Sequence, residues 1–276
     1  MAGQGVLDGS YYAGSGERPR TLLVEGCQQV LIRDLIIIEP QSWTLMLYSS
    51  QDVTIDNIKE LSTGGGSDGI DIVGCRRVRV QNCMLRNGDD AVVIKSFAIP
   101  KYKELPNKNW QGVDDVEVRN CALQVHLGGQ IFEIGHELSQ GDIGNIRFID
   151  CDVMGAHGQS GVFGIHNADG AVVSNVLYEN IRVNHYYNKL VDIRVIQSRY
   201  GYSGEVGNVN DVIFRDIDVS VSKYNPGYSI SLIGGYDAKH KVKNVRFENF
   251  KMNGKRVENA DQLDLFTKQA EGITFR

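Results

Sequence analysis

The sequence predicts an all-β fold, a single-domain right-handed parallel β-helix (a solenoid) over residues 1–276. Three observations carry it: a strand phrase that recurs along the chain, a second phrase that alternates with it, and no helical periodicity. The first phrase is polar–apolar–x–apolar–x–Asn/Asp–apolar. It reads Gln29-Val30-Leu31-Ile32-Arg33-Asp34-Leu35 and Asp52-Val53-Thr54-Ile55-Asp56-Asn57-Ile58, then Arg77-Val78-Arg79-Val80-Gln81-Asn82-Cys83 and Asp115-Val116-Glu117-Val118-Arg119-Asn120-Cys121. Four more copies occupy residues 145–151, 175–181, 211–217 and 244–250. Alternation inside the phrase is the mark of a strand with one buried face. The Asn or Asp supplies a residue that tolerates left-handed backbone at a bend, where stacked copies form a side-chain ladder. Steps between these anchors (34, 57, 82, 120, 150, 180, 216, 249) run from 23 to 38 residues, which suits coils of three short strands with unequal loops.

The second phrase is two apolar residues around a variable one: Leu45-Met46-Leu47, Ile70-Asp71-Ile72, Val92-Val93-Ile94, Phe132-Glu133-Ile134, Phe163-Gly164-Ile165, Val191-Asp192-Ile193 and Ile230-Ser231-Leu232. In a strand the flanking residues face the core and the middle one faces out. Met46, Asp71, Val93, Glu133, Gly164, Asp192 and Ser231 are therefore expected to form one outward column. A leucine-rich repeat is excluded because its Leu-x-x-Leu-x-Leu signature does not occur. The tail from about residue 259 to 276 is expected to cap or trail the C-terminal end of the stack.

Bulk properties agree with one domain that buries a continuous core: 276 residues, 42% hydrophobic, with 31 glycines and only 5 prolines. A net charge of −5 with scattered Lys and Arg excludes nucleic acid or an anionic membrane as the main partner. No apolar run reaches the roughly 18 residues a membrane span requires. The first residues carry no cationic or apolar leader signature, so localisation stays open between a cytoplasmic chain and one whose N-terminal segment is missing. Of five cysteines, Cys83, Cys121 and Cys151 share one repeat position and read as buried small hydrophobes.

Chemistry concentrates beside the outward column. Three residues before successive middle positions stand Asp68, Asp90, Gln130, Gly161 and Lys189, and Asp89 precedes Asp90. With rungs ~4.8 Å apart, Asp68, Asp89 and Asp90 should crowd one patch. Mutual repulsion then raises at least one pKa and leaves the others ionised. Inverting glycosidases need this division: a protonated acid for the leaving oxygen, and opposing carboxylates about 6.5–9.5 Å away to activate water. Gly-Asp-Asp alone is a common turn; its one-coil register with Asp68 gives it weight.

These residues resemble the core signature of glycoside hydrolase family 28, the polygalacturonases. Ser67-Asp68-Gly69-Ile70-Asp71-Ile72 is similar to that family's Asn-Thr-Asp-Gly-Ile-Asp-Ile, and Gly88-Asp89-Asp90-Ala91-Val92-Val93-Ile94-Lys95-Ser96 to its Gly-Asp-Asp-Cys-Ile-Ala-Ile-Lys-Ser. Gly5-Val6-Leu7-Asp8-Gly9, residues 18–23 and Trp43-Thr44-Leu45 also fit. The resemblance implies a secreted or periplasmic inverting hydrolase, with Asp89 as general acid and Asp68 with Asp90 positioning the water. Departures are specific. The family's Gly-His-Gly histidine falls on Gln130, and its Arg-Ile-Lys, which grips the galacturonate carboxylate, falls on Asp192-Ile193-Arg194. Asp192 in place of an arginine would repel a sugar acid. Phe132-Glu133-Ile134-Gly135-His136 and Gly161-Val162-Phe163-Gly164-Ile165-His166-Asn167 look closer to the related family 49, the dextranases and isopullulanases. Together they suggest a divergent member acting on a neutral or partly acidic glycan.

Secondary residues keep two readings each. Glu133 and Asp192 suit hydroxyl binding or are solvated carboxylates, and His136 and His166 suit hydrogen bonds to sugar hydroxyls or are structural. Lys95 and Arg194 line the cleft or neutralise carboxylates. Tyr102, Trp110, Tyr186, Tyr187, Tyr200 and Tyr202 are candidates for stacking on a sugar face. Glu133-x-x-His136 is not read as a metal pair, because strand spacing of three puts the two on opposite faces, so neither metal nor cofactor is expected. The expected partner is a polysaccharide or oligosaccharide bound by a monomer. A polysaccharide lyase on the same fold and a non-catalytic glycan-binding β-helix are the alternatives.

Overall fold

Nine parallel strands, one per coil, make the sheet that carries the second phrase: Leu22–Glu25, Leu45–Tyr48, Ile70–Val73, Val92–Ser96, Gln130–Leu138, Gly161–Asn167, Lys189–Val195, Ser231–Gly234 and Leu265–Lys268. They pair in chain order, each with the strand one coil away. The structure, a computed structural model, describes residues 1–99, 111–159, 161–221, 223 and 230–276. Tyr102 and Trp110 lie outside the described residues. Among those described, helix is limited to two short 3₁₀ turns, Ser10–Tyr12 and Ala260–Leu263. The first-phrase strands and the short strands after them form the other walls of a parallel β-helix, with β-ladders between Val30, Val53 and Val78 and onward to Val116, Ile146, Val176, Val212 and Val245.

Each predicted Asn/Asp anchor bends the chain through left-handed backbone, with φ between 50° and 61° at Asp34, Asn57, Asn82, Asn120, Asp150, Asn180, Asp216 and Asn249. Rung-to-rung side-chain bonds follow in segments: Asn57 Nδ2 donates to Asp34 at 2.8 Å, Asn120 to Asn82 at 2.7 Å and Asn249 to Asp216 at 2.6 Å. A second left-handed row, at the first residue of every phrase (Gln29, Asp52, Arg77, Asp115, Asn145, Asn175, Asp211, Asn244), was not anticipated. It is harder to see because Gln and Arg occupy it beside Asn and Asp.

The interior is one continuous apolar cluster that changes character along its axis. Aliphatic Ile32, Ile55, Val80 and Val118 give way to Phe148, Tyr178, Phe214, Phe247 and Phe275, whose rings stack at 5.0, 4.9, 5.0 and 4.8 Å. That spacing is the rung repeat itself, so the backbone register puts each ring over the next. Cys83, Cys121 and Cys151 are buried free thiols on adjacent rungs, as the repeat implies. Residues 259–276 add a further coil in parallel register, Ser231 opposite Leu265 and Phe247 opposite Phe275.

The outward column stands in register, Met46–Asp71–Val93–Glu133–Gly164–Asp192, with one correction at its end. Asp192 pairs with Leu232, so Ser231 points inward and the phrase there is Ser231-Leu232-Ile233. Three apolar residues at 230, 232 and 233 left the frame ambiguous by one. Outward is also not the same as exposed. Met46 packs with Tyr48, Val73 and Phe97 in a small outer cluster, against Trp43 and Ile99. Burial extends to the acids: Asp71, Glu133 and Asp192 are all buried.

Candidate active site

The acids meet because three consecutive coils bring their strands in at the same height. Thr44 N donates to Asp68 O at 2.8 Å, Gly69 N to Asp90 O at 2.8 Å and Ala91 N to Gln130 O at 2.9 Å, which stacks Asp68, Asp90 and Gln130 as predicted. Asp68 is buried, while Asp89 and Asp90 are half-buried at the cleft floor. Asp90 Oδ1 accepts Gln130 N at 2.6 Å, and Asp89 Oδ1 accepts Asp90 N at 3.2 Å. Gly129 permits this crowding. Its φ is +73°, and a Cβ there would lie 2.4 Å from Asp90 N, 2.5 Å from Asp89 Oδ1 and 2.6 Å from Asp90 Oδ1.

Burial raises all three carboxyl pKa values, and neighbouring acids add to it. Asp68 is pushed up to about 7 by burial, with Lys95 holding it from going higher and Asp89 opposing Lys95. Asp90 stands well above the carboxylate range through burial and then Asp68. Asp89, the best placed toward solvent, is raised by burial and drawn back by Lys95. The three carboxyls therefore titrate as a coupled group, above the range of isolated carboxylates.

Lys95 is the counterion. Its buried Nζ lies 3.7 Å from each of Asp68 Oδ2, Asp71 Oδ1 and Glu137 Oε2, and 4.0 Å from the centroid of the Trp43 ring. Although burial opposes the charge, these acids keep the ammonium protonated. Glu137 reaches it through a register break: Ile94 pairs with Ile134 but Ser96 with Leu138, so residues 135, 136 and 137 face Lys95 alone. Gly135 sits at the break with φ +129°, and a Cβ there would lie 2.1 Å from His166 O. The opposite-face argument for Glu133 and His136 fails here. A regular strand would separate them, but the irregularity brings donor atoms of Glu133, His136 and His166 within 4.8 Å of one another.

Within that grouping His166 is held by ion pairs on both sides. The rings of His136 and His166 stack 4.8 Å apart and 15° from parallel. His166 Nδ1 donates to Glu133 Oε1 at 2.8 Å, and Nε2 lies 3.2 Å from Asp192 Oδ2. Burial works against the imidazolium, but Glu133 and Asp192 outweigh it and lift its pKa to about 9. The 3.0 Å approach of Arg194 Nη2 to His166 Nε2 is then two cations sharing Asp192. Asp192 also meets Arg194 Nε at 2.7 Å and Lys189 Nζ at 2.9 Å, and despite burial its carboxyl stays well below the usual range. His136 behaves oppositely: burial and the neighbouring His166 lower its pKa to about 4.

A cleft of about 740 Å³ opens over these groups. Of the predicted residues, Asp68, Asp89, Asp90, Lys95, Gln130, Glu133 and His136 line it. His166, Asp192 and Arg194 do not; they stand behind Glu133, one and two rungs along. The sequence reading missed Arg18, Trp43, Glu137 and Gln159 as lining residues. Arg18 precedes the repeat, and Glu137 arrives only through the register break. Tyr200 lines the cleft edge-on to His136 at 5.4 Å, and its loop is tied down by buried Asp169, which accepts Tyr202 N, Ser203 N and Leu138 N. Tyr202 stacks on Phe97, whereas Tyr186 is buried in the core and unavailable to a sugar.

Comparison with known proteins agrees with this geometry. The model of glycosyl hydrolases family 28 matches residues 1–226. A probable exopolygalacturonase C of Aspergillus terreus is 28% identical over 192 residues, 64% of this chain and 40% of that protein. The α-L-rhamnosidase rgxB of Aspergillus niger is 22% identical over 239 residues, 81% of this chain and 47% of that protein. Among solved structures, an exopolygalacturonase from Thermotoga maritima superposes with TM-score 0.61 at 20% identity, over 88% of this chain and 57% of its own. Endopolygalacturonase I from Stereum purpureum gives 0.59 at 15%, over 98% and 75%. Both share the right-handed parallel β-helix. The chain spans about two fifths of the length of the exopolygalacturonases it matches. With its repeat, its fold and a family model covering residues 1–226, the chain belongs to glycosyl hydrolases family 28.

Proposed function

We propose that the chain is an inverting glycoside hydrolase acting on a polysaccharide or oligosaccharide, with Asp89 as general acid and Asp68 and Asp90 activating water. The observation that carries the reading is the meeting of three acids from adjacent rungs at the floor of one cleft, each pushed above the ordinary carboxylate range by burial. Asp89 gives its proton to the leaving glycosidic oxygen. Asp68 and Asp90 draw a proton from the water that attacks the anomeric carbon from the opposite face, and the proton inventory resets through solvent. A lyase would need a neutral Lys or Arg to take the sugar's α-proton, and Lys95 is held as an ammonium by three acids.

The test is reducing-sugar release from polygalacturonate, rhamnogalacturonan, dextran, pullulan and galactans, with Asp89→Asn alongside. Hydrolysis of at least one substrate, lost by roughly a hundredfold or more in the variant, is the expected outcome. Unsaturated products absorbing in the ultraviolet, or equal rates in both proteins, would refute the assignment.

A further inference from the structure

Among the described residues, the cations at the cleft wall and just behind it already have partners. Arg18 gives its guanidinium to the carbonyls of Gln41, Gly65 and Gly66 at 2.8, 2.9 and 3.2 Å. Lys95 is enclosed by acids, and Arg194 and Lys189 are both spent on Asp192. Among the described residues that line the cleft, five acids, Asp68, Asp89, Asp90, Glu133 and Glu137, stand against two cations, Arg18, bonded to carbonyls, and Lys95, enclosed by acids, so the balance of charge disfavours a sugar carboxylate.

Two acceptors buried in the same wall lack donors. Glu133 is buried, with Oε1 held by His166, yet Oε2 has no hydrogen-bond partner in the protein; neither has Gln130 Oε1 beside it. Both side chains lean over backbone kept bare for them: a Cβ on Gly164 would fall 2.1 Å from Glu133 Oε2, and one on Gly161 would fall 2.1 Å from Gln130 Oε1. Buried acceptors without donors are costly unless a ligand supplies the protons. A hydroxyl brings a donor; a carboxylate brings only more acceptors.

We infer that this wall is a subsite for an uncharged, hydroxyl-bearing sugar ring, read by Glu133 and Gln130, and that it rejects a uronate ring. The inference rests on the hydrolase reading above for the ligand's chemical class. Glu133 is the specificity-determining residue. His166 and Asp192 are positioning residues that act through it, one rung and two rungs away, and Asp192 itself is masked by its three cations. The discrimination against acid that the sequence located at Asp192 therefore belongs to Glu133.

Calorimetric titration of the Asp89→Asn protein separates the possibilities. Its probes are a galacturonate trisaccharide, the same trisaccharide fully methyl-esterified, and neutral galactose and rhamnose trisaccharides. At least one neutral probe should bind ten times or more as tightly as the free acid. Adding Glu133→Gln should reduce that ratio at least threefold, and adding His166→Gln should reduce it in the same direction, a change that loss of fold alone does not produce. Should Glu133→Gln not fold, the parent ratio and the His166→Gln ratio still decide. Equal or tighter binding of the free acid, a ratio unmoved by both substitutions, or binding of no probe would each overturn the inference. The hydrolase reading fails separately, if a neutral probe binds but the unsubstituted protein releases no product.

Discussion

Replacing Lys95 with Met keeps an unbranched side chain, one atom shorter, and deletes the charge at the centre of the acid cluster. Three carboxylates lie 3.7 Å from Nζ; at an effective dielectric near 20, each such pair is worth roughly 4 kcal/mol before desolvation is charged against it. The acids answer the loss by taking up protons, so the net cost is set by stranded buried charge, about 3–5 kcal/mol. For a chain of this size that lowers the melting temperature by about 6–20 °C. The dependence on pH is more diagnostic than the size. Asp68 has a folded pKa of about 7, above its unfolded value near 3.8, so its stabilising contribution is complete below about 4 and is lost as pH rises through about 7. Removing Lys95 pushes that pKa further up. The deficit of Lys95→Met against the parent should then be largest above pH 7 and shrink toward pH 4, and the acid limb of kcat/KM should move up by at least about one pH unit. Differential scanning calorimetry across pH 4–8 and a pH–rate profile read both. A melting temperature within about 2 °C of the parent at pH 8, or an unmoved acid limb, would show that Lys95 does not govern the cluster.

Two further outcomes follow from the His166 ion pairs and from the ladder. His166 has its pKa raised to about 9 from 6.5, so the stability its imidazolium gives through Glu133 and Asp192 is present below about 6.5 and lost as pH rises through about 9. Melting temperature should fall between pH 7 and 10 in the parent and fall less in His166→Gln; identical slopes would contradict those ion pairs. Asn82 holds φ +57° and bridges Asp56 and Asn120 at 2.7 Å on both sides. Asn82→Ala should cost about 1–2 kcal/mol in urea unfolding and Asn82→Gly less, because glycine keeps the left-handed backbone at no steric cost. If Ala and Gly are equivalent there, the backbone term is not what places the residue.

The fold was legible because a solenoid writes the same instructions on every coil. Eight phrase copies fixed the strand frame, and the anchors at Asp34, Asn57 and Asn82 took the bend that their side chains favour. The frame slipped only at Ser231, where a third apolar residue, Ile233, made two registers equally periodic. The Asp68, Asp89 and Asp90 patch was legible for the same reason: its position follows from counting within a regular strand. Arg18 lies before the first phrase, and Tyr200 sits in a loop whose place depends on Asp169, so neither had a period to betray it.

The residues beyond the trio were misplaced where regularity ended. Counting by twos put His136 and Glu133 on opposite faces, and it would have been right without the break at Gly135. That break also delivers Glu137 to Lys95, which balances an acid group the trio alone does not define. Asp192 was placed correctly in the column and misread in its chemistry. Sequence shows a carboxylate where a cation is expected, but only the packing shows that His166, Arg194 and Lys189 already neutralise it and that it stands behind Glu133. A charge in an outward column is therefore not yet a charge in the cleft. What faces a substrate depends on which neighbours consume it first, and here Glu133 keeps an oxygen to spare while Asp192 is surrounded by cations.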